Sequence, residues 1–172
     1  MNRNAVIQTL FIIVTSICSY SCSDDPEPPA PLDGEWFNEM RILESNDNDV
    51  NGRVNGMFAA DSRQLLVKRV FEINKSHPDM GVISTLAVDP ESGVNVRKRE
   101  STYTLKGDSL YIVDGTLGNM PGTIVIKRNR LTTVSRLNKQ AIKAIITEIG
   151  GDINIPVRDD IEGILTIIDV KK

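Results

Sequence analysis

Cysteine is nearly missing from this chain. Its 172 residues hold two, Cys18 and Cys22, and both precede the first strand-like run. There is one histidine, His77, in the turn Ser76-His77-Pro78-Asp79. One histidine without cysteine partners builds neither a zinc site nor a catalytic triad. No Gly-x-Ser-x-Gly occurs around Ser62, Ser76 or Ser84, so a nucleophile elbow is excluded. The carboxylate pair Asp159-Asp160 lies in a turn with no apolar cleft to raise a pKa. Aromatics are only 5%, too few for a base-stacking platform. The net charge is −3 and the basic residues are scattered, so nucleic acid is not an expected partner. The expectation is a protein that is not an enzyme and carries no cofactor.

What is present begins with an address. Arg3 gives a minimal positive start, and residues 5–17 are mostly apolar yet short for a bilayer span. Small residues Ser19 and Ser21 lead to Cys22. Residues 1–21 read as a lipoprotein signal peptide with Cys22 as the lipidated residue. Cys18 is a weaker alternative, and an ordinary signal peptide cut near Ser21 is the plainer one. With Cys22 lipidated and Cys18 removed, the folded part has no thiol for disulfides, zinc-thiolate sites or nucleophilic catalysis. Residues 22–33 form a Pro-rich acidic tether that cannot build a core. Asp24 and Asp25 after that Cys resemble the surface-export signal of Bacteroidota-type lipoproteins. The resemblance implies an outer-membrane or cell-surface location, anchored through lipid.

Residues 34–172 read as one domain. Residues 35–43 suit a strand, although Trp36, Met40 and Leu43 also fit helical spacing. Residues 45–56 are rich in Asn, Asp and Gly and read as a loop, followed by an apolar island at 57–60 that suits a strand or a flap. Strand patterns follow at 65–73, 82–88, 94–105, 110–113, 123–127 and 131–136, with short turns between them. The period then changes. Asn138 is a good N-cap, Ile142, Ile145, Ile146 and Ile149 recur at helical spacing, and Gly150-Gly151 ends the run. The helix is expected to lay its isoleucine stripe on the outside of the sheet. Residues 161–170 alternate again as a last strand. The order predicts an all-β, antiparallel up-and-down barrel with one α-helix before the final strand.

Gly34-Glu35-Trp36 at the first strand, with Ser135-Arg136 just before the helix, resembles the lipocalin superfamily. That resemblance implies a barrel whose narrow end is closed by Trp36, with Arg136 stacked across it. The hairpin Tyr103-Thr104-Leu105-Lys106-Gly107-Asp108-Ser109-Leu110 and the ending from Ile155-Pro156 through Gly163-Ile164-Leu165 resemble lipocalin-like lipoproteins of gut Bacteroidota.

Two further patterns carry alternatives. Asp47-x-Asp49-x-Asn51-Gly52 matches the first half of a calcium loop, but position twelve is Phe58 where a bidentate carboxylate is needed. A solvated loop over the barrel mouth is the competing reading, and no metal is expected. Arg97-Lys98-Arg99 places two arginines on one strand face, either to hold an anionic headgroup near the rim or as a solvated outer face.

Val67, Phe71, Ile83, Tyr103 and Ile112 are the expected inward residues. Small eight-stranded barrels either fill with side chains or hold one small ligand. The leading expectation is a membrane-anchored envelope lipoprotein that binds a small apolar ligand. The alternative is a filled barrel that contacts an envelope protein partner at the cell surface.

Overall fold

The computed structural model describes residues 31–150 and 155–172. The signal peptide, Cys22 and the tether up to residue 30 lie outside the described residues. Eight strands, β1 (Gly34–Ser45), β2 (Leu66–Asn74), β3 (His77–Val88), β4 (Asn95–Lys106), β5 (Ser109–Asp114), β6 (Gly118–Lys127), β7 (Arg130–Asn138) and β8 (Glu162–Val170), close into a barrel. Each pairs antiparallel with its neighbours in sequence, and β8 returns to β1. This is the expected antiparallel up-and-down barrel. Helix α1 (Asn48–Gln64) joins β1 to β2, and helix α2 (Lys139–Gly150) follows β7.

Alternation decides which side chains enter. Along β2, Val67, Arg69 and Phe71 are buried, while Leu66 and Glu72 face water. Along β7, Leu131, Thr133, Ser135 and Leu137 are buried and Arg130 and Arg136 are exposed. In β1 a bulge between Asn38 and Met40 shifts the register by one residue. Trp36 and Leu43 can therefore both face inward although seven positions apart. The Lys106-Gly107-Asp108-Ser109 turn forms as expected, with Gly107 at φ +59°, a left-handed conformation that favours glycine.

Two expectations are corrected. The segment read as a loop and an apolar island is helix α1. Asp47 caps it, accepting from the backbone N–H groups of Asp49 (3.0 Å) and Val50 (3.2 Å). Its Asn residues, which read as loop formers, complete a sheet edge. β1 pairs with β2 only as far as Phe37, which leaves the later β1 backbone open on that side. The Asn55 amide accepts from Leu43 N–H (2.8 Å) and donates to Leu43 C=O (2.9 Å). One turn earlier Asn51 does the same for Ser45, at 2.7 and 3.0 Å. A helix face thus stands in for a missing strand.

The second correction concerns α2. It starts as expected, with Asn138 Oδ1 accepting from Ala141 N–H at 2.9 Å. It buries Ala141, Ile142, Ile145 and Ile146. Yet it lies over the barrel mouth rather than on the outer wall: Ile145, Glu148 and Ile149 face interior residues Arg69, Leu165 and Asp169 together with Phe58 of α1. Both helices share in closing that end.

Candidate functional site

The candidate site is the barrel interior, built in three layers. At the closed end Trp36, Phe71, Tyr103, Leu110 and Leu131 are buried together. The Phe71 and Tyr103 rings meet edge to face with centroids 5.8 Å apart. Burial, together with the Asp33 carboxylate, pushes the Tyr103 phenol above its usual pKa.

Trp36 closes this end as expected, but its cation is not Arg136. Arg136 occupies an outward position of β7 and is exposed. Lys171 Nζ sits 5.2 Å from the Trp36 ring centroid instead. It donates to the carbonyls of Pro31 (2.7 Å) and Asp33 (2.6 Å), while Trp36 Nε1 donates to Leu32 C=O (2.7 Å). The chain therefore enters the barrel at its closed end.

The middle layer is charged. Arg69 Nε donates to Asp169 Oδ2 at 2.6 Å, and its terminal nitrogen bonds the same oxygen and Thr133 Oγ1 (2.9 Å). Both members of this pair are essentially out of water. Beside it Asp114 accepts from Ser101 Oγ (2.6 Å) and from the backbone N–H groups of Thr116 and Leu117 (both 2.8 Å), with Arg99 Nε at 3.3 Å. Burial alone would push the Asp114 carboxyl up. These donors and the guanidinium outweigh it and hold the group below the ordinary carboxylate range.

The third layer closes the mouth. Asp61 of α1 takes Arg41 (2.7 Å) and Arg97, while Glu148 of α2 takes Arg99. Arg97 also donates to the Glu148 carbonyl at 3.3 Å. The Arg41 guanidinium lies 4.9 Å from the Phe58 ring centroid. Arg97 and Arg99 therefore point inward at the rim, and the anions they meet belong to the chain itself. The solvated outer-face reading of this run does not hold for them.

The five expected lining residues, Val67, Phe71, Ile83, Tyr103 and Ile112, all point inward and are buried. A closed barrel of this kind is compatible with holding a small ligand. Among the described residues, two small cavities of about 50 and 30 Å³ lie inside. Each suits a water or two at about 30 Å³ per molecule. Val67 borders the larger, and Ile83 and Ile112 border the smaller. Phe71 and Tyr103 fill the closed end and border neither.

The calcium-loop candidates are engaged elsewhere. Asp47 caps α1, Asp49 pairs with Arg53 (3.0 Å), and Asn51 is bonded to Ser45. Among the described residues no group of three or more His, Cys, Asp or Glu is placed to hold a metal. His77 is exposed at the β2–β3 hairpin opposite Asn74. Asp159 pairs with Lys139 and Asp160 with Arg158 on the surface.

Sequence reading missed Arg41, Asp61, Arg69, Asp114, Glu148 and Asp169. The signal for three of them was parity. Arg69 lies between two inward residues of β2, Asp114 follows inward Ile112 by two, and Asp169 follows Leu165 and Ile167 on one face of β8.

No protein-family model matches this chain, and no curated protein matches it. Among solved structures, it is similar to a siderocalin, Ex-FABP, described as functioning through dual ligand specificities. The identity is 12%, the TM-score 0.45, and the match covers 81% of this chain and 70% of that one. At that distance the likeness carries nothing about what this chain binds.

Proposed function

We propose that this chain is a lipid-anchored envelope protein whose filled barrel works through its outer surface, as a non-catalytic interaction module. The observation that carries this reading is the middle layer. Arg69, Asp169 and Thr133 form a buried, hydrogen-bonded charged cluster on the β2, β8 and β7 side of the interior. Ligand pockets for drug-sized molecules run to roughly 300–1,000 Å³. The cavities beneath the helices are far smaller. The acidic Pro-rich segment after Cys22 supports a surface address on a lipid tether. Two measurements test the reading. Cys22→Ser should move the protein from the membrane to the soluble fraction, and unchanged membrane attachment would remove the anchor. A thermal-shift panel of fatty acids, sterols and saccharides should leave Tm unchanged. A ligand at a hundred times its Kd would add about 2.7 kcal/mol and be seen at once.

A second reading rests on the mouth. Both helices are held to the arginine rim largely through side chains, with Asp61 and Glu148 as latches. Opening them would admit a small ligand to the polar interior. Under that reading Asp61→Ala would raise small-ligand uptake, whereas a filled barrel gains none.

A further inference from the structure

Because α2 lies over the mouth, no helix of the described residues covers the outer wall around β8. Met40, Ile42, Val125, Val134, Ile164 and Ile168 stand on this wall, and Met40, Val125 and Ile164 are exposed. The register makes rows of them. Met40 lies beside Ile168, which lies beside Thr132. Ile42 lies beside Thr166, which lies beside Val134. Charge appears only at the edges of this patch, and it is divided by side. In the row nearest the mouth, Ile164 sits between Glu44 of β1 and Arg136 of β7. These three line an open groove of about 640 Å³. Neither Glu44 nor Arg136 is in an ion pair among the described residues, whereas Glu39 and Arg130 at the far edge already meet at 2.9 Å.

We infer that this wall is a self-association surface, and that its occupant is a second copy of the chain related by a twofold axis running along β8. An isologous contact sets each patch against itself. An axis parallel to the strands exchanges the β1 and β7 flanks, so Glu44 of each copy meets Arg136 of its twin, with the two Ile164 side chains packed on the axis. An axis perpendicular to the strands would set Glu44 against Glu44. The chain's entry point agrees with the first choice. Both copies then enter their barrels at the same end, as two tethers fixed in one membrane require. This deepens the outer-surface reading above and rests on it.

The patch is modest. Four strands about 4.8 Å apart and three residue rows give roughly 300–400 Å² per copy. That is below the ~800 Å² per partner of a stable complex. The association is therefore weak in bulk and relies on tethering to raise the effective concentration. One group works against it: Glu162, exposed and next outward on β8 beyond Ile164, falls near the axis and faces its own copy.

The test uses the full lipidated chain in vesicles, with donor- and acceptor-labelled copies and energy transfer read across lipid dilutions. Wild type should exceed random-proximity transfer. Glu44→Arg alone and Arg136→Glu alone should fall to the random level while keeping the wild-type Tm. Vesicles carrying both variants, one on each copy, should regain the wild-type signal, because each contact then pairs opposite charges. Glu162→Gln should raise transfer above wild type. Random transfer by wild type at every dilution, wild-type transfer by either variant alone, or no recovery on mixing overturns the inference. Chains that do not float with vesicles refute the anchor and, because a patch this small needs tethering, the inference with it. A monomeric wild type that also binds no small molecule would sink self-association and leave the outer-surface reading standing.

Discussion

Arg69 and Asp169 meet inside the barrel from β2 and β8, the two strands that flank β1. Their contact, with Nε to Oδ2 at 2.6 Å, passes over the inner face of β1 and puts a buried charged pair in the interior. Removing one partner strands a buried charge, so Asp169→Ala should cost about 3–5 kcal/mol in urea unfolding. Replacing both, as Arg69→Met with Asp169→Leu, should be neutral or stabilising by up to about 4 kcal/mol. A double variant as damaged as the single would mean that the pair does more than fill and neutralise the core.

The mutual amide bonds of Asn55 with Leu43 carry the next prediction. Asn55→Ala leaves part-buried backbone groups of β1 unsatisfied and should cost about 1–3 kcal/mol, as should Asn51→Ala. Hydrogen exchange at Leu43 and Ser45 should quicken first. Calcium should leave Tm unchanged, since Asp47, Asp49 and Asn51 already have structural partners. A calcium-dependent rise in Tm would restore the metal reading.

At the closed end the ring and its cation separate cleanly. Trp36→Ala should cost about 3–5 kcal/mol, as for other buried tryptophans. Lys171→Ala should cost about 0.5–1 kcal/mol at this exposed edge. Arg136→Ala should move thermal stability by less than about 0.5 kcal/mol, as an exposed substitution away from the core. A larger loss at Arg136 than at Lys171 would return the stacking role to Arg136.

Asp114 sets a pH dependence. Its folded pKa is depressed below the unfolded value of about 3.9. Its contribution is complete above that range and is lost as pH falls through the depressed value. Urea midpoints should therefore drop in acid, and Asp114→Asn should flatten that drop while lowering the midpoint near neutrality. An acid limb unchanged in the variant would assign the drop to other carboxylates.

Much of the barrel was legible because period-2 alternation and short turns are local. Alternation marks residues 94–105 and 161–170, apolar runs between turn residues mark five further strands, and β1 was tipped to strand by Gly34-x-Trp36. The five expected lining residues follow from the same alternation. Helix α1 was not legible. Asn51, Gly52, Asn55 and Gly56 are poor helix formers, and what holds them is β1's open edge, a tertiary feature. The placement of α2 failed for a related reason. Its isoleucine stripe reports an apolar partner but not which one, and the mouth supplied Phe58 and the ends of β2 and β8. The charged interior escaped because Arg and Asp are mostly exposed residues, a tendency that outweighed their parity on each strand.

Native mass spectrometry of the full chain purified from a membrane envelope extract tests the filled barrel most directly. The account predicts the mass of the lipidated polypeptide alone, unchanged after exposure to lipid and glycan mixtures. A stoichiometric added mass that withstands dilution, and that Asp61→Ala increases, would contradict it and make the barrel a gated carrier.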